Sequence, residues 1–171
     1  MTFIVPRSTR RLALLPLILL LWSCMTPAPI QPPSTFYVMR HLNTPAGASD
    51  PDLTDEGQRQ AVLLADFFTE EPPLAVFVSD TKRARQTAAP LAAKLGIPIK
   101  FYDPSDTPGL VAEVMKEPAP VLIVGHSNTV PDIVAALGGA RPEPLRHEDF
   151  GDVWKIAGPK RAVTRTKIGG N

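Results

Sequence analysis

The sequence predicts an α/β domain, a three-layer α/β/α sandwich with a mainly parallel central sheet. Three observations carry that expectation. From Thr35 onward, short apolar runs of strand length alternate with longer segments of helical period. The runs are almost wholly apolar, as strands covered on both faces require. Gly, Pro, Thr and Asp residues mark most junctions between them. Alternating strands and helices imply a parallel sheet with helices on both sides.

Composition sets the outer bounds. The chain has 171 residues, enough for one domain and a leader. Hydrophobic residues make up 44%, too many for a disordered chain. Lys and Arg number 18 against 17 Asp and Glu, so the net charge is +1 and no basic excess points to nucleic acid. A single cysteine forbids an intrachain disulfide, and three scattered histidines do not make a zinc site. No metal or other cofactor is expected.

The first segment reads as an address. Arg7, Arg10 and Arg11 precede an uncharged run from Leu12 to Trp22, of secretory-signal length and short for a membrane span. Leu21-Trp22-Ser23-Cys24 resembles a bacterial lipobox, which implies cleavage before Cys24 and lipid on its sulfur. Met25 to Ser34 holds four prolines and suits an extended tether. The expected division is residues 1–23 as lipoprotein signal peptide, 24–34 as tether and 35–171 as the folded domain. The expected location is the cell envelope, anchored to a membrane by lipid.

Within the domain, Thr35–Met39 is an apolar run and the first strand. Thr54 suits a helix N-cap with acids in the first turn, and Ala61, Leu64, Ala65 and Phe68 share one helical face. Leu74–Val78 is the second strand. Ala84, Ala88, Leu91, Ala92 and Leu95 mark a helix stopped by Gly96 and Pro98. Ile97–Tyr102 is the third strand. Thr107 reads as the cap of the next helix, with Pro108 in first position and Val111, Val114 and Met115 facing the core. Val121–Val124 is the fourth strand, and Ser127 or Asn128 caps the helix ending at Leu137-Gly138-Gly139. Asp152–Ile156 and Arg161–Thr166 read as a closing hairpin or added strand.

Three motifs stand where strands leave the sheet, the usual place for sites in such folds. They are Arg40-His41-Leu42-Asn43-Thr44, Ser79 through Ala88 with Arg83 and Arg85, and Gly125-His126-Ser127-Asn128. Arginines and histidines converging on one edge make a phosphate site, because guanidinium groups hold phosphate oxygens bidentately. A neutral imidazole can attack phosphorus, and the clustered charge stabilises the transferring group.

These motifs resemble the histidine phosphatase superfamily, the phosphoglycerate-mutase-like phosphatases. That family's Arg-His-Gly-x-Thr stands here as Arg40 to Thr44, with Leu42 in place of Gly. Its Leu-Thr-x-x-Gly-x-x-Gln-Ala begins at Leu53, its Ser-x-x-x-Arg-Ala-x-Gln-Thr-Ala spans Ser79–Ala88, and its Gly-His-Ser is Gly125 to Ser127. The resemblance implies a phosphoglycerate-mutase-like fold and a small, cap-less member. It implies His41 as the nucleophile and Arg40, Arg83 and His126 as phosphoryl ligands; Asn43 reads as an added polar contact to phosphate that compensates for Leu42. It also calls for an acid that protonates the leaving oxygen. Asp103 and Asp106 are the candidates, with Asp106 alternatively a turn or cap residue and Glu113 more remote. His147 lies in a polar loop, solvated or bordering the pocket. Asp50 and Asp52 read as turn formers. The implied activity is metal-independent hydrolysis of a phosphomonoester on a small molecule, glycan or protein. The rival is a catalytically impaired envelope lipoprotein that binds phosphate ligands.

Overall fold

The first strand, β1 (Thr35–Arg40), is buried from Phe36 onward, and its side chains divide between two cores by simple alternation. The structure is a computed structural model that describes residues 1–2, 35–47 and 49–169. The leader features, including Leu12–Trp22, Cys24 and the proline-rich tether, lie outside the described residues. Among the described residues, no helix is long and apolar enough to cross a membrane.

The elements that follow are α1 (Asp55–Phe67), β2 (Ala75–Ser79), α2 (Lys82–Leu95), β3 (Ile99–Tyr102), α3 (Thr107–Val114), β4 (Val121–Gly125), α4 (Val130–Ala136), β5 (Asp152–Ala157) and β6 (Ala162–Lys167). The sheet order is β3-β2-β4-β1-β5-β6. Strands β3, β2, β4 and β1 run parallel. The hairpin β5–β6 adds two strands, with β5 antiparallel to β1. The result is a three-layer α/β/α sandwich of the phosphoglycerate-mutase-like kind, with a mainly parallel sheet.

Period-two alternation builds the layers. Tyr37, Met39, Val76, Val78, Leu122 and Val124 pack with Ala61, Leu64, Ala88 and Leu91 of α1 and α2. Phe36, Val38, Phe77, Val121 and Ile123 pack with Leu110 and Val114 of α3 and Val130, Ile133 and Val134 of α4. Each face therefore removes a continuous apolar layer from water, worth about 1.5–3 kcal/mol for each large side chain buried.

Helix ends follow local chemistry, with two departures from expectation. Thr54 caps α1 as expected, its Oγ1 accepting from Gly57 N at 3.1 Å. Gly96 closes α2 in the left-handed region at φ 66. The cap of α3 is Asp106, as the alternative reading of that residue had it, rather than Thr107: its carboxylate accepts from Gly109 N at 2.9 Å, and Thr107 is already helical. The cap of α4 is Thr129, not Ser127 or Asn128, and it makes no side-chain cap bond. Its Oγ1 accepts instead from His126 N at 2.9 Å, tying the preceding loop. Leu74 lies just before β2 and is exposed, and β3 begins at Ile99, two residues after its expected start.

Candidate active site

Strand order decides which motifs meet. In the register of β1 and β4, Arg40 stands opposite Gly125, and His41 N donates to Gly125 O at 2.9 Å. The next residues along the two strands, His41 and His126, therefore emerge side by side, with ring centroids 5.4 Å apart. β2 flanks β4 on its other side and delivers Ser79, whose Oγ is 2.7 Å from His126 Nε2. Arg83 enters from the first turn of α2, its Nη2 3.4 Å from His126 Nδ1.

Hydrogen bonding assigns the protons. His41 Nδ1 lies 2.8 Å from Leu42 O, which can only accept, so Nδ1 carries the proton and Nε2 keeps its lone pair. The ring is 4% exposed. Burial above all pushes its pKa down to about 3; the bond to Leu42 opposes this, and positive Arg40 adds to it. His41 is thus a neutral imidazole at pH 7. His126 is driven the same way, to about 4, by burial and then by Arg83 and Arg40. Arg83 can only donate to Nδ1 of His126, so Nε2–H of that ring donates to Ser79.

Arg40 is 5% exposed and held from behind. Its Nη1 donates to the carbonyls of Arg146 and His147 at 2.9 Å each and of Asp149 at 3.3 Å. Its Cζ sits 4.0 Å from the centre of the Phe150 ring. Its Nε is buried and meets no protein acceptor. Arg83 is steered by Asp50, 3.1 Å from Nη1, and by Ser49 O at 3.3 Å.

Arg40, His41, Arg83 and His126 line one cavity of about 240 Å³, together with Thr44, Ser49, Ser127, Asn128 and His147. No carboxylate is among its lining residues. Two guanidinium groups around a neutral imidazole favour an anion. Among the described residues, no group of three or more His, Cys, Asp or Glu side chains is placed to hold a metal ion.

Other candidates stand elsewhere. The carboxylate of Asp103 accepts from Ser105 N and Oγ at 2.8 and 2.7 Å, and Asp106 caps α3. Both line a separate groove beside Phe101 and Glu113, and Glu113 pairs with Lys116. The structure does not bring them to His41. Asn43 is not a lining residue; its carbonyl accepts from Thr54 N at 2.9 Å. Leu42 turns away from the pocket into the core beneath α1 and α2. Asp50, read as a turn former, orients Arg83. Phe150 and Ser79 Oγ carried no local signal of their roles, since their partners lie 110 and 47 residues away in sequence.

Residues 36–104 match the histidine phosphatase superfamily (branch 1). The matched segment carries Arg40, His41 and Arg83, and the fold adds His126. No functionally curated protein matches the sequence. Among solved structures, the chain is similar in fold to the protein histidine phosphatase SixA complexed with tungstate, at 22% identity over 77% of this chain and 94% of that one, TM-score 0.60. It is similar to a mycobacterial glucosyl-3-phosphoglycerate phosphatase with inorganic phosphate, at 19% identity over 78% and 95%, TM-score 0.59. It is also similar to YhfR of Bacillus stearothermophilus, at 17% identity over 80% and 97%, TM-score 0.62.

Proposed function

We propose that this chain hydrolyses phosphomonoesters through a phosphohistidine formed on His41. One observation carries the reading: the neutral, buried His41 holds its proton on Nδ1 and leaves Nε2 free among Arg40, Arg83 and His126. In the first step Nε2 attacks phosphorus and the ester oxygen leaves. In the second, water attacks the phosphorylated nitrogen's phosphorus and releases phosphate. Arg40 and Arg83 hold the equatorial oxygens in both steps, and His126, held by Ser79 and Arg83, lines the pocket beside them. The tungstate and phosphate complexes of two structurally similar proteins support an oxyanion site in this fold.

The test is the full-length chain with a phosphate monoester, quenched during turnover. Acid-labile phosphate on His41 is the expected result, and His41→Ala is expected to lower kcat by about 1,000-fold or more. Stoichiometric phosphate binding without label or turnover would instead support a second reading, a phosphate-ligand-binding protein. The absence of a carboxylate from the pocket lining is the observation that favours it.

The proposal includes an address at the cell envelope. It rests on Arg7, Arg10 and Arg11, the run Leu12–Trp22 and the lipobox-like Leu21 to Cys24. Two or more acyl chains on Cys24 would hold the enzyme at a membrane. Expressed in bacteria, the native chain is expected to fractionate with membranes and to carry lipid on Cys24 by mass spectrometry. Cys24→Ala is expected to move it to the soluble fraction; an unlipidated Cys24 in the mature protein would overturn the address.

A further inference from the structure

Cleaving an alkyl phosphate needs a proton for the leaving oxygen, because an alkoxide is far too basic to depart alone. The pocket supplies few groups able to give one. Arg40 and Arg83 stay charged at any working pH. His41 is the nucleophile. His126 is engaged at both ring nitrogens, by Ser79 and Arg83. The lining hydroxyls and the Asn128 amide are poor acids, and Asp103, Asp106 and Glu113 lie at another groove. One further imidazole remains at the pocket, that of His147.

Its setting is built. The carbonyl of His147 accepts from Arg40 Nη1 at 2.9 Å, so its backbone is tied to the guanidinium that reads the phosphate. Its ring stands edge-on to Phe150, with centroids 6.0 Å apart. The same Phe150 ring lies 4.0 Å from Arg40 Cζ and 5.9 Å from the His41 ring centre. One aromatic ring thus contacts His147, Arg40 and His41 together.

We propose that His147 is the proton donor to the leaving oxygen. This deepens the phosphatase reading and rests on it. As the His41 Nε2–P bond forms and the P–O bond to the alcohol breaks, protonated His147 passes its proton to the departing oxygen. Neutral His147 then takes a proton from the water whose oxygen bonds phosphorus as the N–P bond breaks. Both residues return to their starting states, and the balance is ester plus water to alcohol plus phosphate.

The experiment compares two esters on the full-length chain: an aryl phosphate whose phenolate leaves without help, and glycerol phosphate, whose alkoxide does not. His147→Gln is expected to lower kcat/KM for the alkyl ester by about 100-fold or more while changing the aryl ester by less than about threefold. Phospho-His41 should still form from the aryl ester. Phe150→Leu is the control for loop damage, because loosening Arg40 should lower both esters together. An equal loss on both esters in His147→Gln, or no loss on either, would overturn the proposal while leaving the phosphatase reading intact. If the unaltered chain turns over neither ester and never labels His41, both fall together.

Discussion

Leu42 occupies the position where the resembled signature has glycine, and it does so as a core residue. Its side chain is fully buried with Leu64, Ala88 and Leu91, and its backbone N–H donates to Thr87 Oγ1 at 3.0 Å. No positive φ is required of it: among the described residues other than glycine, only Arg161 lies in that region. The substitution therefore fills space beneath His41 without narrowing the pocket. Leu42→Gly is expected to destabilise the domain by roughly 2–5 kcal/mol, as other large-to-small core changes do, measured by urea unfolding. A stabilised or unchanged protein would show that the neighbouring side chains do not depend on Leu42.

The motif-bearing helices act mainly as braces for the loop after His41. Thr54 donates from N to Asn43 O, Gln86 Oε1 accepts from Leu53 N at 2.8 Å, and Gln86 Nε2 reaches Asp52 at 2.8 Å. Thr87 holds Leu42 from the next position of α2. Gly57 permits the approach of α1: a Cβ there would stand 2.4 Å from Asn43 O, closer than any real contact. Gly57→Ala is therefore expected to push α1 off the loop, costing about 1–3 kcal/mol and lowering kcat together with stability. A variant with wild-type unfolding midpoint and kcat would mean the loop yields freely. The glycine and glutamine of these motifs thus hold the loop after His41 in place through packing and hydrogen bonds.

Burying two neutral imidazoles beside two arginines makes the folded molecule sensitive to acid. His41 and His126 titrate at about 3 and about 4 when folded, against the ordinary histidine value near 6.5 in the unfolded chain. Above that value both states hold neutral rings and no penalty exists. As pH falls below it, the unfolded chain gains protons that the folded one refuses, so stability declines with falling pH toward the folded values. In phosphate-free buffer, Tm is expected to drop steadily between about pH 6.5 and pH 4, and His41→Gln should flatten part of the decline. A Tm independent of pH across that window would contradict the buried, neutral assignment. A bound phosphate, supplying negative charge, should restore Tm in the same range.

The fold was largely legible in the chain because its signals are local. A wholly apolar run such as Val121–Val124, too short for a helix, reads as a covered strand, Thr54 and Gly96 mark helix ends by their own chemistry, and Asp152–Ile156 with Arg161–Thr166 reads as a hairpin or an added strand. The caps of α3 and α4 were less legible, since several adjacent polar side chains compete and packing picks the winner: Asp106 over Thr107, and Thr129 for a loop bond in place of a cap bond. Arg40, His41, Arg83 and His126 stood out as candidates because each follows a strand end or opens a helix in a motif. Which of them face one another depends on β4 inserting between β1 and β2, a register that only packing of both sheet faces enforces. The same holds for the arms of Asp50 and Phe150 and for the exclusion of Asp103 and Asp106. Local sequence sets backbone propensity and burial pattern, whereas contacts between residues tens of positions apart exist only once the chain has closed around its two cores.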